Sequence, residues 1–189
     1  MSTKTKIQWA ESTWTPIRAR NKTTGKIGWH CEHVTPGCEH CYSESMNKHR
    51  GTGFSFKPGH RKDIDLFLDE KMLTAPLRWR APRKIFVCSM TDLFADFVPD
   101  AWIDRVFAVM ALAPRHTFVV LTKRPERMRD YVKALVGGSR LAMVGQYPGY
   151  GVLPNVWLGV SVEDQVRADE RIPILLDTPA AVRVISAEP

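Results

Sequence analysis

Short apolar runs alternate with helical patterns along the last two thirds of the chain. The runs are rich in Val, Ile and Phe, which is typical of buried parallel strands. Strands that alternate with helices form βαβ units, and such units build a parallel sheet. The predicted strands are residues 13–17, 64–68, 84–88, 117–121, 156–160 and 182–185. The sequence therefore predicts an α/β domain with about six strands.

Helical patterns fill most of the segments between these strands. Apolar side chains spaced as on one helix face, together with proline and glycine at the ends, mark the limits of each segment. The predicted helices are residues 42–50, 69–79, 99–113, 128–136 and 163–177. The glycine-rich residues 138–154 are predicted to be a loop, and loops of this length are usually functional or mobile.

Length and composition predict a single globular domain. The 189 residues are 44% hydrophobic and 25% charged, values that exclude a disordered or fibrous chain. No apolar run reaches the length of a membrane span, and the N-terminus lacks the apolar core of a signal peptide. We therefore expect a cytoplasmic protein without a membrane partner.

The positive charge of the chain is concentrated at its N-terminal end. Residues 1–62 contain 11 Lys and Arg against 4 Asp and Glu, whereas residues 63–189 contain 16 of each. A basic segment attracts nucleic acid by releasing counterions, although it can also be only a solvated surface. The densest basic group includes Lys57, Arg61 and Lys62, which are the predicted nucleic-acid contacts.

Polar side chains follow four of the predicted strands directly. In parallel α/β folds, ligands bind at the carboxyl ends of the strands. An alternative is that these side chains only cap the helices that follow them. The candidate cofactor-binding residues are Ser89, Asp92, Thr122, Lys123, Ser161, Glu163, Ser186 and Glu188.

Three of the four cysteines lie in one short segment. Cys31, Cys38 and Cys41 have the spacing C-x6-C-x2-C, which favours metal binding over disulfides in a cytoplasmic chain. One interpretation is a 4Fe–4S cluster with three thiolate ligands and one open iron. Another is a zinc site that one further side chain completes, and a third is that the thiols bind nothing. The candidates for a fourth zinc ligand are His30, His33, His40 and Cys88, although Cys88 is expected to be a buried strand cysteine.

The cysteine segment, together with residues 89–94, 121–125, 158–162 and 186–189, resembles a phage-associated three-cysteine-motif family. This family is a radical-SAM-like group of unknown function in phages and bacteria. The resemblance runs from Ile7 to the end of the chain. It implies one domain over residues 1–189 with a partial (β/α)6 barrel. Family members continue further, so the barrel is expected to be truncated after the sixth strand. Residues 18–29 are expected to be an insertion.

The resemblance also implies a chemistry. Cys31, Cys38 and Cys41 would hold a 4Fe–4S cluster, and the cluster would cleave S-adenosylmethionine reductively to modify an unknown substrate. The resemblance identifies neither the reductant nor a catalytic residue. The candidate partners are a separate protein and a nucleic acid. Two alternatives stay open: a zinc-stabilised, non-enzymatic nucleic-acid-binding protein and an inactive, truncated scaffold.

Overall fold

The computed structural model describes Thr5, residues 7–137 and residues 152–188. Within these ranges the strands are β1 (Ser12–Trp14), β2 (Ile17–Asn21), β3 (Ile27–Gly28), β4 (Ile64–Leu68), β5 (Lys84–Val87), β6 (Thr117–Thr122), β7 (Val156–Val162) and β8 (Val182–Ala187). The α-helices are α1 (Tyr42–Arg50), α2 (Glu70–Leu73), α3 (Ala75–Arg78), α4 (Asp100–Leu112), α5 (Pro125–Val136) and α6 (Gln165–Leu176). Pro36–His40 and Pro58–Asp63 form 3₁₀ helices.

Five strands form a parallel sheet in the order β1-β5-β6-β7-β8. Strands β5 to β8 lie side by side in chain order, with α4, α5 and α6 between successive strands along the chain. Because all five strands point the same way, their carboxyl ends lie at one edge of the sheet. The predicted mixed α/β architecture with a parallel sheet is confirmed, and the described residues do not form a closed barrel.

The core lies between this sheet and its helices. Val87, Val120 and Val160 from the three central strands are fully buried, as are Met110 of α4 and Met128 of α5. Burial on this scale stabilises the fold by about 1.5–3 kcal/mol for each large apolar side chain. No helix in the described ranges is both long and apolar enough to cross a membrane.

Strand β4 belongs to a second sheet, so its predicted place in the parallel series is wrong. It pairs antiparallel with β2, with Ile17 opposite Leu68, and β3 pairs with the other edge of β2. Only Ile64 of β4 is buried. A central strand of a parallel sheet is buried on both faces, so β4 lacks the burial that such a position requires. The expected insertion over residues 18–29 falls in β2 and β3.

A proline divides the predicted first strand. Residues 13–17 were expected to be one strand, but β1 ends at Trp14 and β2 begins at Ile17. Pro16 between them has no N–H to donate to a neighbouring strand, and its carbonyl accepts a hydrogen bond from the Asp69 N–H at 2.9 Å. The chain therefore leaves the parallel sheet here and enters the second sheet.

Four of the five predicted helices are confirmed, three of them with shifts at their ends. Helix α1 has the predicted bounds, and α6 continues through Pro173. The predicted helix over residues 69–79 is two short helices that meet at Thr74, because Pro76 cannot donate a helical hydrogen bond. Most of the predicted loop, residues 138–151, lies outside the described residues.

Candidate functional site

The segment with the three cysteines is attached to the carboxyl edge of the parallel sheet. The Thr91 hydroxyl, after β5, donates a hydrogen bond to the His30 carbonyl at 2.6 Å. The Arg124 guanidinium, after β6, donates to the Glu32 carbonyl at 3.1 Å. The Thr35 hydroxyl donates to the carboxylate of Glu163, which follows β7. Three strand ends therefore hold this segment, two through its backbone carbonyls and one through the Thr35 side chain.

Cys31 is half-buried, and its thiol lies close to the charged groups of Asp92 and Arg124. Burial, and after it the nearby Asp92 carboxylate, raises the pKa of the Cys31 thiol to about 12, while Arg124 acts in the opposite direction. The metal-free protein therefore holds Cys31 as a thiol at neutral pH, and a metal must displace its proton in order to bind.

The other two cysteines of the segment are half-buried. Cys38 lies in the 3₁₀ helix Pro36–His40, and Cys41 is the N-cap residue of α1. The Sγ atom of Cys38 is 4.0 Å from the Thr35 Oγ1 atom. All four cysteines are free thiols, so no disulfide competes for the three of this segment. Cys88 is buried in the core, as predicted, directly after β5.

The three predicted cysteine ligands are not brought together around one point. In the described part of the chain, no group of three or more His, Cys, Asp or Glu side chains is placed to hold one ion. His30 and His33, two candidate zinc ligands, contact Glu32 and Glu44 at 3.2 and 2.7 Å. A single zinc ion draws its ligands around one point, whereas a four-iron cluster is larger and spaces its thiolates further apart.

Asp92 is the centre of a buried hydrogen-bond network. Its carboxylate accepts from the Thr122 hydroxyl at 2.8 Å and from the Arg124 guanidinium at 3.0 Å. It also accepts from the backbone N–H groups of Phe94 and Lys123 at 2.9 and 3.2 Å. The predicted cofactor contacts Asp92 and Thr122 thus lie together, but their polar atoms already bind each other.

A second charged network lies next to Cys38. The Lys123 ammonium is 2.7 Å from the Glu188 carboxylate and 3.6 Å from that of Glu163. The Arg171 guanidinium contacts Glu163 at 2.9 Å. Burial of Glu163 opposes its ionisation, but hydrogen bonds from Thr35 and Arg171 lower the pKa of this carboxyl below its ordinary value. Three predicted cofactor contacts, Lys123, Glu163 and Glu188, are thereby brought together.

Close approach of the cysteine segment to Glu163 depends on a glycine. A β-carbon built on Gly37 would lie 2.8 Å from the Glu163 Cγ atom, which is closer than real β-carbons approach. The Pro36-Gly37 pair therefore does more than turn the chain before Cys38. It also allows this turn to lie directly against the end of β7.

The three predicted serine contacts are engaged mainly through their backbones. The Ser89 carbonyl accepts from the hydroxyls of Tyr42 and Ser43 at 3.0 and 2.9 Å. Ser161 and Ser186 lie opposite each other in the β7–β8 register. Ser89 thus attaches the start of α1 to the end of β5, directly beyond Cys41.

The predicted nucleic-acid contacts separate into two kinds. Arg61 binds the Glu32 carboxylate, with one nitrogen 2.7 Å from an oxygen, and therefore supports the segment around Cys31. Lys57 is exposed and lines a cleft of about 540 Å³ together with His33 and His60. Lys62 is also exposed. Of the three, only Arg61 is bound to a carboxylate of the cysteine segment.

Sequence reasoning did not identify Thr35, Glu32 or Arg171 as parts of the site. Arg171 is eight residues beyond Glu163, and Thr35 is 128 residues before it. The only local signal for Thr35 is its place before the Pro36-Gly37 turn. No pattern in the sequence indicates Arg171, because an arginine in an amphipathic helix is usually solvated.

Glu44 of α1 supports the cysteine segment from its other side. Although burial opposes ionisation, hydrogen bonds from Lys48, the Phe56 N–H and His33 lower the pKa of Glu44 to about 2. A lowered pKa stabilises the fold above pH 4.5, and this contribution disappears as the pH falls towards 2. We expect Glu44→Gln to reduce the free energy of unfolding by about 2–3 kcal/mol at pH 7. Urea unfolding between pH 7 and pH 2 measures the difference.

Glu39 provides a matched control for this prediction. It is an exposed carboxylate close to Glu44 in sequence, and Glu39→Gln is expected to change stability by less than about 0.5 kcal/mol. The difference between wild type and Glu44→Gln should shrink steadily below pH 4.5. A difference that stays constant down to pH 2 would show that the charge of Glu44 does not contribute.

Comparison with known proteins gives a family and no activity. The chain matches the family model described as "Protein of unknown function (DUF5131)" over residues 4–189. Neither the curated proteins nor the solved structures contain a match to this chain. Because the match covers almost the whole sequence, the chain belongs to the DUF5131 family.

Proposed function

We propose that this chain is an iron–sulfur protein of the radical S-adenosylmethionine type. Cys31, Cys38 and Cys41 would each supply one thiolate to a 4Fe–4S cluster. The observation that carries the proposal is the attachment of the segment with three free thiols to the carboxyl edge of a parallel sheet, beside two charged networks. Ligands of parallel α/β proteins bind at this edge.

The order of the strands supports a barrel-like architecture. Strands β5, β6, β7 and β8 lie side by side in chain order, without the reversal that defines doubly wound sheets. The wall of a (β/α) barrel has this sequential order. We therefore propose that the parallel sheet corresponds to part of a (β/α)6 barrel, as the resemblance to radical-SAM-like phage proteins implies.

The bound groups would supply the electron and the cleavable sulfonium for reductive cleavage of S-adenosylmethionine. The chain's own residues have separate tasks. Arg124 lies near Cys31 and favours its thiolate form electrostatically. Asp92 holds Arg124 in place. Lys123 and Glu188 are the accessible charged pair at the sheet edge, with 16% and 41% of their side chains exposed. They bind each other at 2.7 Å, so a zwitterionic ligand would separate this pair, its carboxylate binding the Lys123 ammonium and its ammonium binding the Glu188 carboxylate.

A nucleic acid is the predicted substrate class, and it stays a prediction. Exposed Lys57 and Lys48 support a polyanion such as a nucleic acid, and the cleft that they line also carries the carboxylates of Glu39 and Glu44.

The zinc-stabilised alternative needs a fourth ligand, for which the candidates are His30, His33, His40 and Cys88. His30 and His33 each contact a carboxylate through Nε2, an arrangement that leaves Nδ1 available for a metal. The three-thiolate cluster needs no fourth protein ligand.

Metal analysis of anaerobically purified protein tests the proposal. We expect about four irons and four sulfides in each chain after reconstitution. If one iron is open, S-adenosylmethionine should also change the electron paramagnetic resonance spectrum of the reduced cluster. The matched sample is the same protein with S-adenosylhomocysteine, which has no sulfonium charge.

Two results would contradict the proposal. About one zinc in each chain without sulfide, even after reconstitution, would favour the zinc-stabilised alternative. A cluster whose spectrum is unchanged at saturating S-adenosylmethionine would indicate a structural or electron-transfer role.

A further inference from the structure

The Thr35 hydroxyl lies between a carboxylate and the sulfur of Cys38. Its Oγ1 atom donates to Oε1 of Glu163 and is 4.0 Å from the Sγ atom of Cys38. A hydroxyl group has only one proton to donate. While this proton is directed at Glu163, it cannot form a hydrogen bond to Cys38.

Glu163 itself is fixed in position by two cations. The Arg171 guanidinium donates to its Oε2 atom at 2.9 Å and to the Ser161 carbonyl at 2.5 Å. The Lys123 ammonium is 3.6 Å from the same Oε2 atom. Only 6% of the Glu163 side chain is exposed, so water does not compete strongly for Thr35.

We propose that Glu163 is a positioning residue that keeps the Thr35 hydroxyl proton away from the sulfur of Cys38. The Thr35 hydroxyl then donates no hydrogen bond to this sulfur. Hydrogen bonds to ligand sulfurs help to set the reduction potential of an iron–sulfur cluster. A donor stabilises the extra negative charge of the reduced state, so its exclusion keeps the cluster strongly reducing. The part of this role that concerns a cluster rests on the proposed function.

The substitution Glu163→Gln should reverse the direction of this hydrogen bond. The amide oxygen of the new side chain must face Arg171 and Lys123, because both can only donate. Its NH₂ group then replaces Oε1 and faces Thr35. The Thr35 oxygen, which already accepts from Arg171 at 3.4 Å, then also accepts from this NH₂ group, and its proton is free to turn towards Cys38.

Alkylation of the metal-free protein tests this arrangement without a cluster. Iodoacetamide is added at one pH, and peptide mass spectrometry gives the rate for Cys38 alone. A donated hydrogen bond favours the reactive thiolate, so Glu163→Gln should raise this rate by about threefold or more. In a Thr35→Val background the same substitution should raise it much less. Glu170→Gln, an exposed change in α6, should have no effect.

The same variants are then reconstituted with iron and sulfide. We expect a more positive midpoint potential in Glu163→Gln than in wild type, and a smaller shift in the Thr35→Val background. Thr35→Ser keeps the hydroxyl and should behave as wild type. A wild-type protein without a cluster would contradict the proposed function, while the alkylation rates would still decide the role of Glu163.

Two results would overturn the role of Glu163. If Glu163→Gln raises the rate equally with Thr35 in place and in the Thr35→Val background, only the lost charge matters. If Glu163→Gln does not fold, Thr35→Val alone is decisive. This variant should not lower the Cys38 rate, since the wild-type hydroxyl donates to Glu163, and a clear fall in rate would show that Thr35 already donates to Cys38.

Discussion

Cluster content should fall to background in Cys31→Ala, Cys38→Ala and Cys41→Ala, and should persist in Cys88→Ala. Each of the first three thiols lies in the segment attached to the sheet edge, and with only two local thiolates a four-iron cluster would be left with too few ligands. Absorbance at about 400 nm, together with iron and sulfide analysis after anaerobic reconstitution, measures the loss.

Cys88 is a demanding control because it is also a buried free thiol near Cys31. Its backbone has φ 55°, a left-handed conformation that is strained for every residue with a β-carbon. Alanine keeps the β-carbon, so the strain is unchanged and only the sulfur is removed. Retained colour in Cys38→Ala, or lost colour in Cys88→Ala, would show that the assignment of ligands is wrong.

The central strands were predictable because burial on both faces of the sheet requires an apolar composition. Strands buried on both faces must be largely apolar, and β5, β6 and β7 are. The site edge was predictable for the same reason, since a polar residue that follows such a strand lies at its carboxyl end. Lys123, Glu163 and Glu188 were identified in this way and do lie together.

Strand partners were less predictable than strands. The β-rich pattern of residues 64–68 is real, but nothing in it indicates that β4 pairs with β2 in a separate antiparallel sheet. The same limit applies to the site. Thr35 and Arg171 both contact Glu163. Thr35 is 128 residues away in sequence, and the helical pattern around Arg171 predicts a solvated side chain. Long-range partners are set by packing, and a local pattern does not contain them.

Asp92 shows how packing changes the interpretation of a correctly placed residue. Its position after β5 predicts a cofactor contact at the sheet edge. In the structure only 7% of the residue is exposed, and its carboxylate connects the ends of β5 and β6 through Thr122 and Arg124. Since Arg124 also binds the Glu32 carbonyl, this connection extends to the segment with Cys31.

Asp92→Ala should therefore reduce the free energy of unfolding by about 3–5 kcal/mol. The substitution leaves the mostly buried Arg124 guanidinium without its carboxylate, and it leaves two backbone N–H groups without an acceptor. Asp92→Asn keeps the size of the side chain and part of its acceptor capacity, so a smaller loss is expected. Urea unfolding of the metal-free proteins measures both effects without a contribution from bound cofactor.

Asp96→Ala is the matched control, because Asp96 is an exposed aspartate four residues further along the same segment. Its removal should change stability by less than about 0.5 kcal/mol. The comparison also distinguishes the two roles of Asp92. If Asp92 only binds cofactor, its removal should not change the stability of the metal-free protein. If its carboxylate joins β5 to β6, its removal should lower that stability. If Asp92→Ala reduces the free energy of unfolding by less than about 1 kcal/mol, a cofactor contact is the better interpretation of Asp92.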